Sequence, residues 1–161
     1  MDMEVLMANT YTQIYIHIVF AVQGRRCLIP RPHIEELCKY TTGIVRNRDQ
    51  KLIAINSEPD HMHILVGLKP TMAISDLVRD VKAGSSGFIN DQHWIRGRFN
   101  WQEGFGAFSR SHSELDRVVK YILNQAEHHR KKTFKEEYLE LLEEFGVEYE
   151  PKYLFRWPED E

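Results

Sequence analysis

The sequence predicts a single domain in which amphipathic helices cover a β-sheet, and three features predict it. Residues 10–22 alternate between two sets of side chains, as a long strand does. Residues 52–57 and 61–68 are two further strand-length runs, and several segments repeat apolar residues at helical spacing. At 161 residues, the chain is long enough for one hydrophobic core and too short for two to be expected.

The N-terminal half predicts the order strand, helix, strand, strand. The first strand is expected in the centre of the sheet, and it places five apolar residues on one face: Ile14, Ile16, Ile18, Phe20 and Val22. A helix is expected after Pro32, because proline suits a first helical turn. Only residues 58–60 separate the next two strands, so these should form a hairpin.

The C-terminal half predicts three helices and a short strand region. A helix is expected over residues 72–90, where small residues at 84–87 permit close packing or the approach of a ligand. The aromatic-rich residues 98–109 predict one or two short strands. Capping boxes then begin two more helices, at Ser111 with Glu114 and at Thr133 with Glu136.

The predicted organisation is one domain over residues 1–161. It comprises an N-terminal tail (1–9), a core (10–145) and, after the last helix ends at Gly146, an extended acidic tail (146–161). Composition is that of an ordinary globular protein, with 42% hydrophobic and 28% charged residues. Two cysteines outside any Cys-x-x-Cys pair argue against a disulfide framework and a structural zinc site, so a reducing cytoplasm is expected. No apolar run approaches the roughly 20 residues that span a bilayer, and no signal peptide is recognisable.

Charge is unevenly distributed along the chain. Residues 136–161 contain 10 acidic and 2 basic side chains, whereas residues 1–135 contain 14 acidic and 19 basic ones. The overall net charge of −3 therefore conceals a mildly basic body, which is compatible with a phosphate-bearing partner. Solvated surface is the commoner use of such lysines and arginines.

The candidate chemistry begins with His61 and His63. Residues two apart on a strand point to the same face, so the two imidazoles should lie side by side. Such a pair can bind a divalent metal and leave positions open for substrate oxygens, although a buried, hydrogen-bonded pair is the commoner outcome. Asp60 could orient His61 or simply close the turn.

Tyr121 and Gln125 are the second candidate pair. Four residues apart on the third helix, they are neighbours, and they lie off its apolar stripe on a face shared with Arg117 and His128. Tyr121 is thus free to act as a nucleophile on phosphorus. The oxygen of Gln125 suits Mg²⁺ or Mn²⁺ better than zinc as a third ligand.

Other residues are weaker candidates for contact with nucleic acid. Arg79 and Lys82 share a helix face, Trp101 could stack on a base, and Arg130 and Lys131 follow two histidines at a helix end. Each also has a plain structural reading, as solvated surface or as core. P-loop, nucleophile-elbow and dinucleotide fingerprints are absent from the sequence.

Three ordered motifs, at residues 58–66 (EPDHMHILV), 101–109 (WQEGFGAFS) and 121–129 (YILNQAEHH), resemble those of the single-tyrosine HUH transposases of insertion sequences. The resemblance extends over nearly the whole chain. It implies an α+β, ferredoxin-like or RRM-like sandwich, with helices packed on one face of an antiparallel sheet and additional C-terminal helices. It departs from the family at Arg110, where relatives carry a small apolar residue.

The resemblance also implies a function. His61, His63 and Gln125 would bind the metal and Tyr121 would attack single-stranded DNA at hairpin-bearing element ends, leaving a 5′-phosphotyrosine and a 3′-hydroxyl. It further implies a homodimer in which one subunit's tyrosine helix completes the other's metal site. Alternatives are a domesticated relative that nicks and joins repeat hairpins, a catalytically silent nucleic-acid-binding module, and a zinc hydrolase built on His61 and His63.

Overall fold

A computed structural model of the chain describes residues 9–157. Its centre is an antiparallel sheet in the order β2-β3-β1-β4. The strands are β1 (Tyr15–Ala21), β2 (Lys51–Glu58), β3 (His61–Gly67) and β4 (Gly106–Arg110). The predicted α+β architecture is confirmed, and β1 is an inner strand, paired on both sides.

The first strand is shorter than the predicted range of 10–22. Tyr15 pairs with Gly67, the last residue of β3, and with Arg110, the last residue of β4. The ladder ends there because Gly67 and Arg110 are the last paired residues of the two neighbouring strands. At the other end, Val22 forms only an isolated bridge with Trp101.

The predicted hairpin of β2 and β3 is confirmed. The two strands pair from Lys51 opposite Gly67 to Glu58 opposite His61, with an irregularity between Leu52 and Ala54. The connection is therefore the two-residue turn Pro59–Asp60, which brings Asp60 directly before the first histidine.

Helices α1 (Ile34–Asn47) and α2 (Ile74–Gln92) cover one face of the sheet. Val45 of α1 and Leu77 and Val81 of α2 meet Ile18 and Ile64 there. The close packing expected around residue 84 is present, since a Cβ atom on Gly84 would lie 2.6 Å from Ile44 Cδ1.

Three further helices follow β4: α3 (Leu115–Leu123), α4 (Gln125–His128) and α5 (Phe134–Glu144). Both predicted capping boxes are present, the first of them before a 3₁₀ turn that leads into α3. The sequence predicts Tyr121 and Gln125 on one helix, but this helix breaks at Asn124, between the two. The Asn56 side chain donates to the carbonyls of Ile122 and Leu123 at this break (3.0 and 3.4 Å), which satisfies two end-of-helix acceptors. None of the helices within residues 9–157 has the length and apolarity to cross a membrane.

The segment after α5 differs from the extended tail that the sequence predicted. Phe155 and Trp157 are buried, and their rings contact Phe134 and Tyr138 of α5. Aromatic burial therefore returns the end of this segment to the core, whereas residues 146–153 are exposed. The predicted N-terminal tail and the last residues of the acidic tail, 1–8 and 158–161, lie outside the described range.

Candidate metal centre and nucleophile

His61 and His63 lie on the same face of β3 and are fully buried. Their neighbours across the ladder are Ala21 and Val19 of β1. The two rings are 5.0 Å apart between centroids. The predicted side-by-side placement is therefore observed, on the face opposite to α1 and α2.

A neighbouring side chain fixes the orientation of each of the two imidazole rings. Asp60 Oδ1 lies 2.6 Å from His61 Nδ1, and His17 Nε2 lies 2.7 Å from His63 Nδ1. With both Nδ1 atoms engaged, both Nε2 atoms are directed toward the same interior point. This is the arrangement in which outer hydrogen bonds set the tautomer and orientation of metal-binding imidazoles.

Tyr121 and Gln125 are brought to the histidines by α3 and α4. Gln125 is fully buried, and its Oε1 lies 3.1 Å from His61 Nε2. The Tyr121 ring is 5.7 Å from that of His63 between centroids. One chain thus brings the whole predicted set together; a homodimer, and the sharing of the site between its subunits, stay predictions.

Glu137 of α5 stands at the centre of the cluster, and the sequence analysis missed it. Its side chain is 2% exposed. Oε1 lies 3.0 Å from His63 Nε2 and 3.3 Å from His61 Nε2. Oε2 accepts a short hydrogen bond from the Tyr121 hydroxyl and another from Gln125 Nε2 at 3.1 Å.

His129 completes the cluster, and His128 flanks it. His129 Nε2 lies 2.9 Å from Gln125 Oε1 and 3.3 Å from Glu137 Oε1. His128 Nε2 lies 3.4 Å from Glu137 Oε2. The sequence had suggested phosphate contact or a solvated helix end for these histidines, but both rings turn inward.

The spacing of these atoms fits a divalent metal. Two ligands about 2.1 Å from one ion and at right angles to each other are about 3.0 Å apart. The contacts among His61, His63, Gln125, His129 and Glu137 fall between 2.9 and 3.3 Å. Imidazole, amide and carboxylate donors together suit Mn²⁺, and carboxylate and amide oxygens also suit Mg²⁺.

The site's electrostatics follow from one buried carboxylate among imidazoles. Burial alone would raise the pKa of Glu137, but His63, His129 and His61 outweigh burial and hold that pKa far below its usual range. Burial opposes the protonation of His61, yet Asp60 and Glu137 raise its pKa to about 9. Burial and the adjacent Glu137 carboxylate raise the pKa of the Tyr121 phenol. The phenol is therefore protonated at neutral pH in this arrangement.

Solvent reaches the cluster from two sides. A cavity of about 180 Å³ is lined by Tyr121, Glu137, His128 and Arg117, which confirms the shared face that helical spacing predicted for Tyr121. A second depression, of about 400 Å³, includes Asp60 and His129. Tyr121 therefore lines one depression, and Asp60, which contacts His61, lines another on a different side of the cluster.

Three of the residues suggested for DNA contact have structural partners. The Lys82 ammonium donates to the carbonyls of Gln102 and Gly104 (2.7 and 2.6 Å). Trp101 is buried and its indole N–H donates to Ser85 Oγ at 2.9 Å, so its ring is not presented to a base. Arg79 is exposed and contacts Asp76 and Asp80.

The remaining two suggested DNA contacts lie beyond α4. Arg130 and Lys131 are exposed, and Arg130 pairs with Glu127 at 2.9 Å. Arg110, the residue that departs from the family pattern, is 6% exposed. Its guanidinium lies 4.6 Å from the Phe145 ring centroid, and its Nε is buried without a hydrogen-bond partner.

A cationic cleft of about 660 Å³ was not anticipated from the sequence. We define it by its basic lining residues, which are Arg25, Arg26, Arg98, Lys152 and Arg156; Glu103 is the acidic member of the lining. Arg25 also lines the depression beside Asp60 and His129, so the cleft and that depression adjoin. Its residues come from distant parts of the chain, which is why no local run revealed it.

The missed residues left different signals in the sequence. Glu137 occupies an apolar-stripe position of α5, three residues after Phe134 and four before Leu141, and an acid there marks a buried carboxylate. His17 lies on the same strand face as Val19, which pairs with His63. Strand alternation indicated that face, but the pairing of β1 with β3 could not be deduced from it.

Comparison with known proteins agrees with this fold. The family model described as "Transposase IS200 like" matches residues 10–125. A crystal structure of a candidate transposase from Deinococcus radiodurans is similar at 22% identity, covering 73% of this chain and 94% of that one, with a TM-score of 0.55. A tyrosine transposase associated with REP sequences and bound to a REP hairpin is similar at 18% identity, covering 75% and 72%, with a TM-score of 0.55. No protein of curated function matches the chain.

The family match ends at the glutamine of the candidate metal set and includes both histidines and the tyrosine. The two solved structures, at their low identities, support the fold. Four antiparallel strands, the histidine pair and the tyrosine helix together agree with the family assignment. The chain therefore belongs to the IS200-like transposase family and is an enzyme of that class.

Proposed function

We propose that the protein is a metal-dependent transposase that cleaves and rejoins single-stranded DNA at hairpin-bearing element ends through a phosphotyrosine at Tyr121. One observation carries the proposal: the nucleophile and the histidine pair all contact the same buried carboxylate, that of Glu137. Glu137 contacts the Tyr121 hydroxyl through one oxygen, and His61 and His63 through the other. A DNA phosphate beside this group would face both the phenol and the metal ligands.

His61, His63 and Gln125 would hold Mg²⁺ or Mn²⁺, which when bound would polarise a phosphate oxygen and offset the negative charge on the phosphate oxygens. Asp60 and His17 keep the two imidazoles oriented. Orientation matters most here, since the phenol is a weak nucleophile whose attack depends on a well-positioned phosphate.

The reaction exchanges one phosphoester bond for another. The Tyr121 oxygen bonds to phosphorus, the bond from phosphorus to the 3′ oxygen breaks, and in net terms the phenolic proton moves to that leaving oxygen. The products are a 5′-phosphotyrosine and a free 3′-hydroxyl. Attack of a 3′-hydroxyl on the phosphotyrosine reverses the exchange and rejoins DNA without a nucleotide cofactor.

Binding of the DNA backbone is supported by the cationic cleft. Its five basic residues could pair with backbone phosphates, and Arg25 is common to the cleft and to the depression beside Asp60. The neighbouring structure with a bound REP hairpin makes a hairpin the first substrate to test. We place the single strand between this cleft and the Tyr121 cavity.

The test is formation of a covalent adduct. The protein is incubated with labelled, hairpin-bearing single strands and Mg²⁺ or Mn²⁺, and the products are separated on a denaturing gel. We expect a slowly migrating adduct that disappears in Tyr121→Phe and with a chelator. Tyr138→Phe is a matched control, because Tyr138 is buried against Phe155 rather than in the histidine cluster.

Two results would contradict the proposal. DNA binding without an adduct, with either metal and over a panel of hairpins, would indicate a silent nucleic-acid-binding module. Metal-dependent turnover that survives Tyr121→Phe would indicate a hydrolase built on His61 and His63.

A further inference from the structure

We infer that Glu137 is itself a ligand of the divalent metal, supplying the negative charge that two histidines and a glutamine lack. The inference rests on the metal centre of the proposed function and adds a residue from α5 to it. None of His61, His63 and Gln125 carries a negative charge. A dication bound by those three alone would have no anionic partner from the protein.

The Glu137 carboxylate is directed at the histidine rings. Glu137 Oε1 faces three imidazole Nε2 atoms, those of His63, His61 and His129, at 3.0, 3.3 and 3.3 Å. Because these are the nitrogens left over once each ring's Nδ1 is engaged, they are the atoms that could bind an ion, and Oε1 lies close enough to all three to bind the same ion beside them.

Hydrogen bonds to Oε2 hold the Glu137 carboxylate in this direction. Tyr121 and Gln125 both donate hydrogen bonds to Oε2. A carboxylate with one oxygen fixed by two donors has only the other oxygen to offer a metal. One-oxygen coordination is common for Mg²⁺, which takes one or two carboxylates in protein sites.

The negative charge of Glu137 is buried. Glu137 is 1% exposed, and an isolated buried carboxylate is strongly unfavourable unless cations or several donors compensate it. The helix offers a nearby contrast, since Glu136, Glu140, Glu143 and Glu144 are all exposed. Glu137 alone of the five carboxylates of α5 points into the cluster, where the imidazoles and donors around it compensate its charge and a bound dication would compensate it more fully.

The experiment measures Mn²⁺ affinity by calorimetry or electron paramagnetic resonance on the full chain without DNA. Glu137→Gln preserves the shape of the side chain and removes its charge. We expect it to weaken Mn²⁺ binding by at least about 10-fold, the low end of what loss of a metal-supporting residue costs. Glu143→Gln, an exposed position on the same helix, should bind within about twofold of the unmodified protein.

His63→Ala separates this inference from the proposed function. If His63→Ala loses Mn²⁺ and Glu137→Gln does not, the histidine pair stands and the role of Glu137 is overturned. If neither variant changes Mn²⁺ affinity, the proposed metal centre fails as well. Thermal unfolding without added metal verifies that each variant is folded.

A second measurement needs no substitution and decides the question even if Glu137→Gln does not fold. In crystals of the unmodified protein soaked with Mn²⁺, the anomalous signal locates the ion. A position within about 2.0–2.6 Å of Glu137 Oε1 supports the inference, that being the range of metal–oxygen bonds to hard cations. An ion on His61 and His63 that lies beyond bonding distance of Glu137 would overturn it.

Discussion

The two faces of the sheet are built from alternate residues of the same strands, yet they serve different purposes. On one face, Ile18, Phe20 and Ile64 pack against α1 and α2, and the contacts are apolar. On the other, His17 and His63 of the same two strands contact each other and face the C-terminal helices. We call these the apolar face and the histidine face.

The contrast shows how a small domain separates stability from chemistry. Period-two alternation assigns each neighbouring pair of residues to opposite faces, so a catalytic group can be placed one residue away from a core side chain. The apolar face provides close packing. The histidine face combines buried polar groups with apolar ones, since the rings of Phe108 and Phe134 contact His17 and His61 there.

The largest expected effect comes from substituting two adjacent residues, His63 and Ile64. Ile64→Ala should lower the free energy of unfolding by about 2–5 kcal/mol, because it removes a fully buried side chain from the apolar face. His63→Ala should reduce adduct formation by at least about 100-fold in protein that is still folded. Urea denaturation and the denaturing-gel assay measure the two quantities.

The informative result is that each substitution lowers a different quantity, the stability for Ile64→Ala and adduct formation for His63→Ala. Below its reduced melting temperature, Ile64→Ala should form adduct at nearly the normal rate per folded molecule. Loss of adduct in folded Ile64→Ala, or normal adduct yield in His63→Ala, would show that the faces do not divide stability and chemistry as their packing indicates.

A smaller effect is expected from Gly106→Ala, which tests how firmly α5 is seated on the histidine face. A Cβ atom at Gly106 would lie 2.7 Å from the Tyr138 hydroxyl and 2.9 Å from its ring. Because Phe134 and Phe155 enclose that ring, we expect a cost of about 1–3 kcal/mol, typical of overpacking. Chemical denaturation gives the value.

Gly87→Ala is the matched control for this prediction. Nothing lies within 4 Å of a Cβ atom at Gly87, and the residue is in the interior of α2, so alanine should add about 0.5–1 kcal/mol of stability. If Gly106→Ala is as well tolerated as Gly87→Ala, α5 moves easily and Glu137, next to Tyr138, is less firmly held than its contacts indicate.

Local patterns predicted most of the fold and half of the site. Capping residues and apolar spacing located α3 and α5, and alternation placed His61 and His63 on one face, because these features depend on neighbours in sequence. The break at Asn124 and the burial of Phe155 depend on distant partners, Asn56 and Phe134, which no local pattern reveals. The stripe position of Glu137 marked it as buried, but its role depends on His63 and Tyr121, which are distant in the sequence.

The smallest predicted effect concerns Arg110, which lies on the histidine face beside Tyr15. Its charge is poorly compensated: the contacts to Glu114 and Glu144 are long, at 3.4 and 3.5 Å, and Nε is buried without a partner. Arg110→Met would retain the packing on Phe145 and remove the buried charge, while both glutamates can be hydrated. We expect the free energy of unfolding to change by less than about 1 kcal/mol, or to rise, as it does when poorly paired buried ions are replaced by apolar residues. A loss above about 2 kcal/mol in urea denaturation would mean that Arg110 stabilises this face, and that its polar residues are part of the fold's stability as well as of its chemistry.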